Sequence, residues 1–193
     1  MKEIEDVGEY SIQNLEGPKV NRENFESYVT KTKPRLIILH GHGSKDAVFG
    51  QNYEVILDKD NISLLNSTIT YAVACDSSEQ LGEIAINTGN ADSYVGYEGE
   101  FMVVMDPSRS STPEKDKNLK IFIQPYATLV LSLVAGKTVN DAITETKEVL
   151  RSLIRQYGVY GIKDSYGDAP LIRFALYWDL VFLKGYGDLD SKV

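Results

Sequence analysis

The sequence predicts an α/β domain, a three-layer α/β/α sandwich built on a mostly parallel sheet. Three features carry that expectation. Short, almost wholly apolar runs such as "RLIILH" (35–40) and "TITYAVA" (68–74) have the length and β-branched content of strands buried on both faces. Amphipathic stretches of helical period separate such runs, and strands alternating with helices build parallel sheets flanked by helices. The chain has 193 residues, 42% of them apolar, which is enough for one well-buried domain or two small ones.

Taken in order, "NRENFESYVTKTKP" (21–34) reads as a helix stopped by Pro34, closing an N-terminal segment (1–34) that leads into the sheet. The first strand is 35–40. "EVILDKDNISLLN" is an irregular connection with one short apolar piece, and 68–74 is the second strand. In "SSEQLGEIAINTG" (77–89), Ser77 is the expected N-cap, the leucine and isoleucine spacing is helical, and Gly89 stops the helix. "DSYVGY" (92–97) is expected as a third strand and "FMVVM" (101–105) as a fourth or its continuation. "DPSRSSTPEKDKN" (106–118), with two prolines and no core-forming residue, reads as a solvated loop. It is the one internal boundary in a main domain spanning 35–188. Two helices follow, from "LKIFIQPYATLVLSLVAG" and from 138–158. The second carries Ala142, Val149, Leu150, Leu153 and Ile154 on one face, with Gly158 past its end. In "LIRFALYWDLVFLKGYGD" (171–188) the Tyr177–Leu183 part is expected as the last strand, before a short tail (189–193). There are no repeats and no low-complexity tract.

Composition narrows the function classes. A net charge of −8 repels phosphate backbones, so no nucleic-acid partner is expected. One cysteine makes no internal disulfide and fits a reducing compartment. "MKEIEDVGEY" has no apolar leader region, and no window approaches the roughly 18 apolar residues of a membrane span. The expectation is a soluble, cytoplasmic protein with no membrane partner and no cofactor.

In open α/β sheets, ligands and catalysis gather beyond the carboxyl ends of the strands. Here "RLIIL" ends in His40-Gly41-His42-Gly43, and "ITYAVA" ends in Cys75. If these strands are parallel neighbours, both histidines of the chain and its one cysteine share a sheet edge. A thiol is a strong nucleophile as thiolate, and a nearby imidazole both favours that form and shuttles the proton. Gly43 permits a sharp turn behind His42 and exposes an N–H that, with the N–H of Cys75, forms a candidate oxyanion hole. Taken singly, a cysteine after a buried strand is more often a core residue, and a histidine at a strand end more often a hydrogen-bonded rim residue. The joint placement tips the balance toward chemistry.

Two rival sites use the same residues. An α/β-hydrolase needs a G-x-S-x-G elbow and a late histidine; the elbow is missing and no histidine follows His42. A metal site from His40, His42, Cys75 and Asp76 matches no specific zinc spacing and stays a minor alternative.

An apolar strand ending in "GHGS" followed by one ending in "ACDSS" resembles the caspase-like cysteine peptidase superfamily, in particular its CHAT and gingipain-like branch. "LGEIAINTGNADSYVGYEGEF" looks like the helix, glycine and strand that follow the cysteine there. "LVLSLVAGKTVNDAITETKEVL" is similar to the CHAT helix pair, and "YWDLVFLKGYGD" to the closing strand and Gly-Asp turn. The likeness covers roughly residues 35 to 188. It implies a caspase-like sheet and a Cys-His dyad, with Cys75 as nucleophile and His42, the imidazole between two glycines, as general base and acid. Gly43 and Cys75 N–H groups would form the oxyanion hole, with His40 and Asp76 in support. Val73, two residues before Cys75, stands where metacaspases carry an acidic residue, so no preference for a basic residue at the cleaved bond follows. The implied activity is that of a cysteine endopeptidase working through a thioester on Cys75. Its partners would be a protein or peptide substrate and an activating or regulatory protein. The alternative is a catalytically silent member that uses the fold as an interaction module.

Overall fold

Residues 10–163 and 166–193 are described by a computed structural model; the reading of the first nine residues as polar and leaderless lies outside them. Helix α1 (Arg22–Thr32) starts where the Asn21 side chain accepts the Asn24 N–H at 2.8 Å, and ends at Lys33 in the left-handed region (φ 45°) before Pro34. Strand β1 (Leu36–His40) follows, then a short antiparallel trio: β2 (His42–Ser44), β3 (Ala47–Phe49) and β4 (Val55–Leu57). A 3-10 turn, Ile62–Leu65, leads into β5 (Ile69–Val73). Helix α2 (Leu81–Asn87) and strand β6 (Ser93–Tyr97) come next. The second half is three helices, α3 (Lys117–Val134), α4 (Val139–Gln156) and α5 (Ala169–Phe182), closed by β7 (Leu183–Gly187).

The main sheet has the order β1-β5-β6-β7, its first three strands parallel and β7 antiparallel to β6. The protein is thus α/β with a mostly parallel four-stranded sheet and a small antiparallel one. Strand alternation sends Ile37, Leu39, Ala72, Ala74 and Tyr94 into a core shared with Phe25 and Val29 of α1 and Leu81 and Ala85 of α2. Ile69, Tyr71, Val73, Val95 and Tyr97 enter a second core with Leu129 and Leu133 of α3 and Val139 and Ala142 of α4. All five residues of β5 and of β6 are buried, which is why those runs are almost continuously apolar in sequence. Each fully buried aliphatic side chain contributes about 1.5–3 kcal/mol relative to exposure.

Several expectations are corrected. Residues 101–105 form no strand; the Met102 N–H donates instead to Asp179 Oδ1 at 2.9 Å. The last strand begins at Leu183, because Tyr177–Phe182 continue a helix. The aromatic residues there suggested a strand, but Ala175, Leu176 and Asp179 are buried at helical spacing. Ser77 caps nothing: its hydroxyl donates to the Ala72 carbonyl at 3.3 Å, and α2 starts only at Leu81. The connection between β3 and β5, expected to be irregular, contains β4. The polar loop 106–118 holds two 3-10 turns, and its Asp116 is buried as the N-cap of α3, accepting from the Asn118 and Leu119 N–H groups. Among the described residues, no helix is long and apolar enough to cross a membrane.

Candidate active site

Parallel register brings the carboxyl ends of β1 and β5 level: His40 lies opposite Val73, two residues short of Cys75. The pairing runs one residue further, the Gly41 N–H donating to the Val73 carbonyl at 3.3 Å. The chain then turns out of the main sheet and begins the small one, where His42 faces Phe49 and Gly43 faces Val48. His42 therefore lies beyond the main sheet, as expected, but is held in a second ladder rather than in free loop.

Gly43 packs backbone to backbone against Cys75. A Cβ at this glycine would sit 2.9 Å from the Ala74 Cβ, 3.0 Å from the Cys75 nitrogen, and closer still to the Cys75 carbonyl oxygen. Only glycine permits that approach. The β2–β3 turn adds two clamps. The Lys45 carbonyl accepts the Gln80 and Leu81 N–H groups at 3.0 and 2.9 Å, and Lys45 Nζ pairs with Glu79 at 2.7 Å. The ion pair is exposed and contributes little by itself; the backbone bonds fix the hairpin to the segment following Cys75.

Cys75 is half-buried, with its Sγ 4.0 Å from the Phe101 carbonyl oxygen. Among the described residues its N–H donates no hydrogen bond. The next residue, Asp76, adopts a left-handed backbone (φ 52°), its N–H donating to Gly99 O at 2.9 Å and its carbonyl accepting from Glu79 N–H at 3.0 Å. A non-glycine residue held in that region is strained and persists only where its surroundings over-determine it. The Asp76 carboxylate accepts no hydrogen bond among the described residues; its part in the turn is played by the backbone.

The two histidines have different settings. His42 is exposed, and its ring stacks on Tyr53 with centroids 4.6 Å apart and planes at 14°. No hydrogen bond joins His42 to Cys75 among the described residues. His40, also exposed, sets its ring edge-on to Tyr126 of α3 at 5.1 Å. Desolvation of the ring lowers its pKa below the usual 6.5. The rim position expected for His40 is thus filled by an aromatic contact rather than a hydrogen bond. Behind it runs a layer of rings: Tyr126 on Tyr71 at 6.0 Å, the Tyr71 and Tyr97 hydroxyls 3.2 Å apart, and Tyr97 against Phe101 at 4.9 Å.

The sequence reading missed Tyr53, Gly99, Phe101 and Asp179. Asp179 is 2% exposed, and burial pushes its carboxyl up to about 8, against the opposing effect of the Met102 N–H bond. It anchors the residue next to Phe101, whose carbonyl faces the thiol. One acid inside "FALYWDLVF" was the visible signal. Among the described residues, no group of three or more His, Cys, Asp or Glu side chains is arranged to hold a metal ion, so His40, His42, Cys75 and Asp76 do not assemble as a ligand set. Comparison with protein-family profiles, with curated proteins and with solved structures returned no match.

Proposed function

We propose that this chain is a cysteine endopeptidase of the caspase/CHAT type, with a three-layer domain over 35–188 and a Cys75–His42 dyad. The observation that carries the reading is the backbone contact of Gly43 with Cys75, which sets the residue after His42 against the nucleophile's own peptide. In the proposed reaction, His42 takes the Cys75 proton and the thiolate attacks the scissile carbonyl carbon. The resulting oxyanion is held by the Cys75 and Gly43 N–H groups. Among the described residues the Cys75 N–H has no acceptor of its own. Gly43 follows the same logic: Ser44 and Ala47 close a two-residue hairpin as a hydrogen-bonded pair, so alternation leaves the Gly43 N–H pointing away from β3. Protonated His42 then gives its proton to the leaving amine, leaving a thioester on Cys75. Water, deprotonated by His42, attacks that thioester, and collapse releases the carboxylic acid and the free thiol.

A second reading, a catalytically silent interaction module, is favoured by one observation: the His42 ring is engaged by Tyr53 and makes no bond to Cys75. Catalytic hydrogen bonds are often long before substrate binds. An activating protein that reorders Tyr53 would reconcile the two readings. Incubating a peptide mixture with wild type and with Cys75→Ala, and reading the products by mass spectrometry, separates them. The peptidase reading requires new peptide termini with wild type alone; identical product spectra would leave the silent module.

A further inference from the structure

Helix α5 leaves uncovered an apolar face that neither the sheet nor the cysteine chemistry uses. Leu171, Phe174, Tyr177 and Val181, spaced three and four residues apart, are 60, 53, 56 and 42% exposed. Beside them the loop after α4 presents Val159, Tyr160 and Ile162 at 69, 95 and 81%. Two adjoining cavities of 460 and 270 Å³ open on this face and share Pro170 and Arg173 in their walls. Whole aromatic side chains bury roughly 150–250 Å² each, so the exposed fractions of three aromatics and four aliphatics amount to several hundred Å². Monomers seldom leave more than roughly 300–600 Å² bare in one patch, and a standard interface takes about 800 Å² from each partner.

We propose that this face pairs with a second copy of the chain, two α5 helices packing antiparallel about a two-fold axis. The helix is close to a palindrome about the point between Ala175 and Leu176. Phe174 and Tyr177 are equidistant from that point, as are Arg173 and Trp178, then Leu171 and Leu180. An isologous contact needs this self-complementarity, because each patch meets itself reversed. The pairing places an aromatic ring over the partner's aromatic ring at the centre. Charge points the same way. Within α5 itself, Arg173 is the one charged side chain left open, since the helix's other charge, Asp179, is buried, and the adjoining loop adds exposed Lys163. Two chains of net charge −8 therefore bring no α5 carboxylate together here. The partner's Phe174 or Tyr177 ring has the shape and apolarity to enter the 460 Å³ cavity formed by Ile154, Pro170, Arg173, Phe174 and Tyr177.

Sedimentation equilibrium of the full chain, run up to its solubility limit, tests the proposal. Wild type should show a concentration-dependent doubling of mass, and Phe174→Glu should remain at monomer mass with an unchanged far-UV spectrum. Should that variant fold poorly, Tyr177→Lys carries the same expectation. Register is read by disulfide trapping in a Cys75→Ala background: a mixture of Phe174→Cys and Tyr177→Cys chains should cross-link as the mixed pair in preference to either self-pair. Wild type at monomer mass throughout would overturn the proposal and leave the face to a different protein or to lipid, which flotation with phosphatidylcholine vesicles tells apart. A dimer that survives both substitutions would overturn it equally. None of these readouts depends on peptidase activity.

Discussion

Gly43 and Cys75 touch through their backbones, so closely that a Cβ on Gly43 would fall 3.0 Å from the Cys75 nitrogen. Because the neighbouring atoms are main chain and cannot rotate away, Gly43→Ala must push β2 off the end of β5. The shift would carry His42 with it, and a displacement of about 1 Å at reacting groups costs on the order of 100-fold in rate. Gly43→Ala should therefore lose about two orders of magnitude in peptide turnover while remaining folded, as judged by circular dichroism. Wild-type turnover in this variant would show that β2 need not hold its place.

The two histidines should separate cleanly. His42→Ala is expected to fall to the activity of Cys75→Ala with little change in Tm, since its ring is exposed and stacks only on Tyr53. His40→Gln should keep measurable turnover but lose the edge contact with Tyr126, worth about 0.5–1 kcal/mol. Partial desolvation lowers the folded pKa of His40 below 6.5 although the residue is exposed at the strand end, so the unfolded chain takes up this proton slightly first as pH falls. That contribution to acid destabilisation, beginning near pH 6.5, should be missing from His40→Gln in thermal melts. An inactive His40→Gln beside an active His42→Ala would assign the base to the other histidine.

Asp179 gives a stability test of opposite slope. Its folded pKa of about 8 lies above the ordinary 3.8, with desolvation as the cause and the nearby Tyr71 and Tyr97 buried too. Below 3.8 both states hold the proton. Between 3.8 and about 8 the folded chain holds one that the unfolded chain has released, so stability falls as pH rises through that window and levels above it. Asp179→Asn stays neutral and can still accept the Met102 N–H. Its Tm relative to wild type should rise from pH 5 to pH 8. A difference that stays flat over that range would mean the carboxylate is already ionised where it lies.

Residues 107–111 and 113–115 are exposed, while Asp116 ties the loop down by accepting the Asp106 N–H at 2.8 Å and capping α3. Limited trypsin digestion should cut first after Arg109 or Lys115, and the fragments should co-elute in gel filtration. Any cut that appears without added protease should be equal in wild type and Cys75→Ala. A cut confined to wild type would reveal self-processing through the thiol.

What the sequence disclosed follows from where its signals are local. β1, β5 and β6 were legible as short, mostly apolar runs, β5 and β6 being buried on both faces, and α1 because Asn21 and Pro34 bracket it. His40, His42 and Cys75 were legible as a group because parallel strands put their ends on one edge. The β2–β3–β4 sheet was hidden: its strands have three residues each, too few to show a period. The 177–183 stretch was misread because Tyr, Trp, Phe and Val favour strands in isolation, while burial against α4 and the 102–104 segment makes it helix. The left-handed backbone of Asp76 and the Phe101 carbonyl beside the thiol are tertiary consequences with no signature in the residues themselves.

The most direct measurement is native labelling with a peptidyl acyloxymethyl ketone, the adduct located by mass spectrometry in wild type, His42→Ala and His40→Gln. Such an electrophile reacts only where a thiolate, a peptide-binding groove and oxyanion donors coincide. The dyad predicts a single adduct on Cys75 in wild type and His40→Gln, and at most a trace in His42→Ala. Labelling of Cys75 only after denaturation, or equally in all three proteins, would contradict it.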